Sequence, residues 1–278
     1  MMGAVGIIAG NGALPVHVME GARAAGREVR VVQLSGEGDV ARFGGSGREF
    51  PLAAFGAYTR WLRDAGVSEV CMAGEVGRPD FKALKPDMAG LKHLPRVAKA
   101  ARQGDDALLR ALMDAFEREG FGVIAPQDLA ANLLAPEGVM GRAEVPAGAR
   151  EDMLLACETA RAMGRRDIGQ AAVVCAGLVL AVEAQEGTAA MLQRVAGLPE
   201  AIRGTRALRN GILAKMVKPA QDSRVDLPTI GPETVRLADA AGLAGIVVEA
   251  GRSFVIDREE VARLANEAGI FVVGLPRE

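Results

Sequence analysis

Aromatic side chains are scarce in this chain. They make up 4% of its 278 residues, with one tryptophan and one tyrosine. A core must therefore be built from Ala, Val, Leu and Ile. At 50% apolar residues there is material for one large domain or two medium ones. Histidine is rarer still, with only His17 and His93, and no Cys-x-x-Cys occurs. That argues against a zinc site; any metal is expected on carboxylates. Cys71, Cys157 and Cys175 lie far apart within apolar runs. They read as reduced core residues of a cytosolic protein, not a disulfide framework. A surplus of charge is missing as well: the net charge is -2 and the pI about 5.9. A general nucleic-acid surface would need a basic excess, so no nucleic-acid partner is expected. The most apolar run, Ala171 to Val182, is broken by Gly177 and stops at Glu183. It is too short to span a bilayer. No charged start and cleavage site of a secretory leader is seen. A mean hydropathy of +0.16 suits a greasy substrate and an Ala-rich core equally well.

What is present begins with an apolar strand, Ala4 to Ala9, followed by Gly10-Asn11-Gly12. Leu14-Pro15 then opens a helix to about Ala25, and Glu28 to Leu34 is the next strand. Strand, Gly-rich turn, helix and strand are the start of a doubly wound sheet. The turn lacks the third glycine of a dinucleotide fingerprint, and Gln33-Leu34-Ser35 puts no carboxylate at the second strand's tip. A phosphate or sugar hydroxyl at the helix start is the functional reading, because the first helical amides point outward unpaired. A plain tight turn is the alternative. Arg42 to Arg48 reads as a Gly-rich surface loop, and Ala53 to Ala65 as a helix with Trp61 and Leu62 facing in. Glu69 to Ala73 is a third strand, running into Gly74 to Asp80. Pro86 to His93 reads as loop, with a helix from there to Arg102. Gly104-Asp105-Asp106 precedes an amphipathic helix, Ala107 to Glu119, where either aspartate serves as N-cap or ligand contact. Phe121 to Ala125 is the fourth strand.

From Asn132 to Arg150 the composition shifts, and residues 135–150 read as an interdomain linker between a domain at 1–134 and another at 151–278. The second half opens with a helix, Glu151 to Met163. Asp167-Ile168-Gly169-Gln170 is a tight polar turn, and a hairpin spans Ala171 to Val182. Glu186-Gly187-Thr188 starts a further helix. The densest chemistry lies between a strand, Ile212 to Met216, and a helix opened by Pro232. This loop holds Lys215, Lys218, Gln221, Asp222, Arg224, Asp226 and Thr229. Lysine and arginine suit phosphate oxygens. Aspartates suit Mg²⁺ or a water to be activated. The bland alternative is a solvated charged turn.

Taken in order, Ala9-Gly10-Asn11-Gly12-Ala13-Leu14-Pro15, Gly104-Asp105-Asp106, Asp167-Ile168-Gly169-Gln170-Ala171, Val182 to Thr188, and Arg224-Val225-Asp226-Leu227-Pro228-Thr229-Ile230-Gly231 form a set. The set resembles the LpxI family, the UDP-2,3-diacylglucosamine pyrophosphatases of lipid A biosynthesis, over residues 4 to 274. The resemblance implies an α/β fold of two domains, an N-terminal Rossmann-like parallel sheet and a distinct C-terminal α/β domain. It implies Mg²⁺-dependent hydrolysis of UDP-2,3-diacylglucosamine to 2,3-diacylglucosamine 1-phosphate (lipid X) and UMP, with water attacking the phosphorus nearer the sugar and substrate held between the domains.

The resemblance also assigns roles. Asp226 matches the aspartate of the family's Arg-x-Asp-Leu-Pro motif and would ligate Mg²⁺ or orient water, with Asp222 as a second ligand. Lys215, Lys218 and Arg224 would neutralise charge on the phosphoryl oxygens. Gly10, Asn11, Gly12, Leu14, Pro15 and Asp106 would hold uridine or phosphates. Gln170, Glu186, Gly187, Thr188, Gln221 and Thr229 would ring the sugar or the metal. One departure stands out: where the family has aspartate after Glu-Gly-Thr, this chain has Ala189. Two acyl chains need an apolar chamber, since each buried methylene is worth about 0.8 kcal/mol. A cytoplasmic enzyme in peripheral contact with the inner membrane is expected; an oligomer is left open. The alternatives are an NAD(P)-dependent oxidoreductase and a non-catalytic lipid or nucleotide-sugar carrier.

Overall fold

The computed structural model describes residues 3–77, 79–218, 224 and 227–276. The chain divides into two compact units, the first built on residues up to Asn132 and the second beginning at Leu133. The first unit contains β1 (Ala4–Ala9), α1 (Leu14–Ala24), β2 (Val29–Leu34), β3 (Gly47–Phe50), α2 (Phe55–Asp64), β4 (Val67–Ala73), α3 (Met88–Ala100), α4 (Asp105–Arg118), β5 (Gly122–Val123) and α5 (Pro126–Leu129). Its strands order as β3-β2-β1-β4-β5, every pair parallel. That is the order of a doubly wound sheet, with its switch point between β1 and β4. Parallel strands are covered on both faces, so β1 and β2 read as near-continuous apolar runs. Ile8, Val32, Val70 and Met72 meet Leu62 of α2 and Phe116 of α4 in one core. Trp61 is only half-buried and lies tilted on Phe50, ring centroids 5.6 Å apart.

Two stretches of this unit differ from expectation. Residues 42–48 are not a plain loop: a 3₁₀ segment covers Val40–Ser46 and β3 starts at Gly47. As an edge strand, β3 buries little besides Phe50, so no alternation marks it in the sequence. Helix α3 begins at Met88, inside the expected loop. Asp87 is the reason. Its carboxylate accepts from the amide of Gly90 at the start of α3, at 2.8 Å. It also accepts from Gly56 and Ala57 of α2, at 3.1 and 2.9 Å. The residue before α2, Ala54, offers no side-chain cap, so one carboxylate serves two helix starts.

The second unit contains β6 (Gly138–Val139), α6 (Arg150–Arg165), β7 (Ala171–Cys175), β8 (Leu178–Val182), α7 (Gly187–Ala196), β9 (Ile212–Lys215), β10 (Thr229–Ile230), α8 (Pro232–Ala240), β11 (Gly245–Glu249), β12 (Phe254–Val255), α9 (Arg258–Ala268) and β13 (Phe271–Leu275). Its main sheet orders as β6-β13-β11-β9-β7-β8. Strands β9, β11 and β13 are parallel, while β7 turns against β9, β8 against β7, and β6 against β13. Strands β10 and β12 form a separate parallel pair. Residues 135–150, expected as a linker, contribute to this unit: β6 pairs with β13, and the Met140 amide donates to Val272. One face of the sheet packs on α7, α8 and α9 through Leu213, Ile246, Val248 and Leu192. The other packs on α6 through Ala214, Val247 and Ala160.

Candidate active site

In the second unit the expected residues gather where β9 ends, beside the start of β7 and the end of β8. Ala171 of β7 lies opposite Lys215 of β9. The Glu183 amide donates to Ala171, so Glu183 stands next in the row. Lys215 is buried, and its Nζ donates to the carbonyl of Thr229 at 3.1 Å. Thr229 in turn donates its hydroxyl to Leu227. Lys218 is also buried, and its Nζ lies 2.7 Å from Asp167 Oδ1. These two lysines are thus folded into the sheet end and are not part of a solvated turn.

Gln170 is held at two points of its backbone. Its carbonyl accepts from Met216, its amide donates to Glu183 Oε2 at 3.0 Å, and its buried Oε1 finds no partner among the described residues. Thr188 donates to the other Glu183 oxygen. Gly169 is required beside them, because a Cβ there would stand 2.1 Å from the Glu183 carbonyl. Gly187 opens α7. Glu186 turns elsewhere: its carboxylate sits 2.6 Å from Arg194 on the surface. Its own backbone amide, then Arg194, hold that carboxyl below the ordinary value. Glu186 is therefore tied to α7 and not to the Glu183 group.

In the first unit, Gly10, Asn11 and Gly12 form the turn after β1. Gly10 is buried against the loop after β4, where a Cβ would meet the Glu75 carbonyl at 2.3 Å. Asn11 and Glu75 bridge through their backbones, and Asn11 Nδ2 donates to Glu37 at 2.7 Å. Leu14 and Pro15 form the first turn of α1, which has no capping side chain and no acidic residue. Pro15 brings no amide and Val16 donates to the Ala13 carbonyl, so it is chiefly the helix dipole that suits an anion here. Asp106 lies in the first turn of α4 and pairs with Arg110 at 2.6 Å. Arg224 groups with this unit, 3.4 Å from Glu117 of α4. It lines a shallow cavity of about 400 Å³ with Arg96, Gln103, Arg110 and Asp114. Gln221, Asp222 and Asp226 lie outside the described residues.

Three residues take part that no local pattern in the sequence marks. Glu183 stops an apolar run and falls inside the Val182 to Thr188 motif, with no role of its own in either; it is buried and fixes Gln170 and Thr188. Asp167 is a turn residue by its neighbours; it adopts φ 53°, a left-handed conformation that aspartate tolerates, and its carboxylate is the partner of Lys218. Arg42, in a stretch that reads as a surface loop, reaches back to the turn after β1. Its guanidinium donates to the carbonyls of Gly12 and Gly10, at 2.6 and 2.5 Å, and to Gln33 Oε1 at 2.9 Å. It had no local signal, since its partners lie up to 32 residues away.

Among the described residues, no group of three or more His, Cys, Asp or Glu side chains comes together for a metal. Glu183 and Asp167 are committed to protein donors. Also among the described residues, no helix is long and apolar enough to cross a membrane.

Comparison with known proteins fits both units. The LpxI N-terminal domain model matches residues 4–133, and the LpxI C-terminal domain model matches residues 136–273. A protein of Caulobacter vibrioides named UDP-2,3-diacylglucosamine pyrophosphatase LpxI is 50% identical over 275 residues, covering 99% of this chain and 98% of that protein. Among solved structures, a Thermus thermophilus UDP-glucose 4-epimerase complexed with NAD aligns with a TM-score of 0.31 and 14% identity, over 99% of this chain and 85% of that one. So low a score says nothing about fold or activity. With both domain models in sequence and half the residues of a full-length relative in common, the chain belongs to the LpxI family.

Proposed function

We propose that this chain hydrolyses the pyrophosphate of UDP-2,3-diacylglucosamine, releasing 2,3-diacylglucosamine 1-phosphate (lipid X) and UMP. The supporting observation is the full-length relative bearing that activity in its name, at 50% identity. The chemistry of the second unit agrees with it. Lys215 and Lys218 are buried cations at a sheet end, the kind of fixed positive charge that developing phosphoryl charge needs. In this reading water attacks the phosphorus nearer the sugar, the bond to the bridging oxygen breaks, and UMP leaves on that oxygen. Asp226 orients the attacking water or ligates the metal, and Arg224 adds charge to the phosphates.

Mg²⁺ is part of the proposal. It asks for only one or two carboxylates beside substrate phosphate oxygens, and Asp222 and Asp226 supply that number. When bound it would neutralise charge on the phosphates. Each unit contributes contacts to the substrate: the turn at Gly10 to Gly12 and the bare start of α1 take the nucleotide side, while Gln170, Thr188 and Thr229 take the sugar side. The enzyme is cytoplasmic and meets its lipid substrate at the inner membrane surface.

The test is turnover of UDP-2,3-diacylglucosamine with Mg²⁺ in ¹⁸O-labelled water. UMP should form, with label in lipid X. Label in UMP would move the attack to the other phosphorus, and no UMP would overturn the reading.

A further inference from the structure

The face of α3 that points away from the first unit's core has no role in the chemistry above. Met88, Leu91, Lys92, Pro95 and Lys99 fall at the spacing of one helix face, and each is exposed. Met88 is 83% exposed and Leu91 52%. The opposite face buries Gly90 and His93. Residues 80–102 carry Lys82, Lys85, Lys92, Arg96, Lys99 and Arg102 against only Asp80 and Asp87, in a chain whose net charge is -2. Both acids are engaged locally: Asp80 accepts from the Lys82 amide, and Asp87 caps α3 and α2. Lys92 lies 3.8 Å from Glu119 but keeps 68% of its side chain in solvent.

We propose that this face, with Met88 and Leu91 as apolar contacts inside a field of lysines, docks on an anionic lipid bilayer surface. Two exposed apolar side chains one turn apart, ringed by cations, match an interfacial helix that lies in the headgroup layer. Charge complementarity selects the partner: an anionic leaflet attracts such a cluster, by about fivefold in partitioning per basic side chain near the surface. The inference rests on the proposed function only for its purpose, which is to bring the enzyme to a substrate carried in a membrane.

The experiment is co-sedimentation of the whole chain with vesicles, with no substrate present. Phosphatidylcholine vesicles are compared with vesicles of phosphatidylcholine and phosphatidylglycerol. The wild-type chain should bind only the latter, and less as salt rises. Met88→Glu with Leu91→Glu should abolish binding while leaving the circular-dichroism melt and the turnover of detergent-dispersed substrate unchanged. Lys82→Gln, Lys85→Gln and Lys99→Gln together should weaken binding roughly tenfold or more. Equal binding to both vesicle types, or variants that bind like wild type, would overturn the proposal. So would a wild-type dimer that ignores vesicles and becomes monomeric in the Met88→Glu, Leu91→Glu variant, since the face would then serve self-association. A chain that binds vesicles but leaves UDP-2,3-diacylglucosamine intact would sink the proposed function and keep this inference.

Discussion

Lys218 Nζ and Asp167 Oδ1 stand 2.7 Å apart although the residues are 51 positions apart in sequence. Their side chains are 9% and 26% exposed, so the cation is the more buried partner. The asymmetry predicts unequal variants. Asp167→Ala leaves a desolvated ammonium and should cost on the order of 1–3 kcal/mol. Asp167→Asn keeps an acceptor and should recover part of that. Lys218→Met leaves a carboxylate that water can reach, so its stability loss should be smaller. If Lys218 faces the phosphates, its turnover should still fall by about 10²-fold or more. Urea melts beside turnover assays would check both; equal stability loss in Asp167→Ala and Lys218→Met would refute the asymmetry.

Arg42 clamps the turn at Gly10 and Gly12 from outside. Arg42→Ala should cost about 1–3 kcal/mol, because two carbonyls and Gln33 lose a charged donor. If that turn holds the nucleotide, KM should rise while kcat stays near wild type. Arg42→Lys should not restore it, since an ammonium cannot reach three acceptors as a planar fork does. A fall in kcat with KM unchanged would place the turn at the reacting centre instead.

Asp87 predicts a pH effect. Burial alone would raise its carboxyl, but the amides of Gly90, Gly56 and Ala57, with Arg60 nearby, hold it below the ordinary aspartate value of 3.8. A carboxyl depressed by folding adds stability above its unfolded pKa and loses it as pH falls through the folded one. Asp87→Asn keeps one capping oxygen but loses the other, and the charge, at two helix starts, so it should be less stable than wild type at neutral pH by about 1 kcal/mol. The gap should narrow below about pH 4. Denaturant melts at pH 7 and pH 3 would show it; a gap that widens in acid would refute the assignment.

Ala189 is exposed in the first turn of α7, which carries no acidic residue. Ala189→Asp should preserve the fold and add about 0.3–1 kcal/mol through the helix dipole. If the alanine disables the enzyme, turnover should rise sharply in the same variant. Melting curves and UMP release would separate the two effects.

Most of the first sheet is legible in the sequence because its buried parallel strands are largely apolar: the expected Ala4–Ala9, Glu28–Leu34 and Glu69–Ala73 overlap β1, β2 and β4, and only the start of β4, where Ser68 and Glu69 interrupt the apolar run, is missed. Strand β3 does not, since Gly47, Arg48 and Glu49 present no apolar face. The start of α3 is hidden because its cap, Asp87, follows a proline and reads as turn. Strand β6 is two residues long, and its partner is Val273, a pairing no local pattern encodes. The site is legible as residue types but not as environments. Lys215 and Lys218 look like loop charges, yet Lys215 is buried between β7 and β11 and Lys218 is buried against Asp167. Glu183 and Arg42 depend on partners that sequence spacing does not reveal.

The pairing of β6 with β13 also bears on synthesis. All strands of the first sheet have left the ribosome once Val123 has emerged, and each pairs with a strand made before it or soon after. That sheet has the strands it needs to form while translation continues. In the second sheet Val139 must wait for Val273, its partner across the seam. That seam closes only after β13 has been made, and until then the backbone of residues 138–139 is an open edge in the nascent polypeptide.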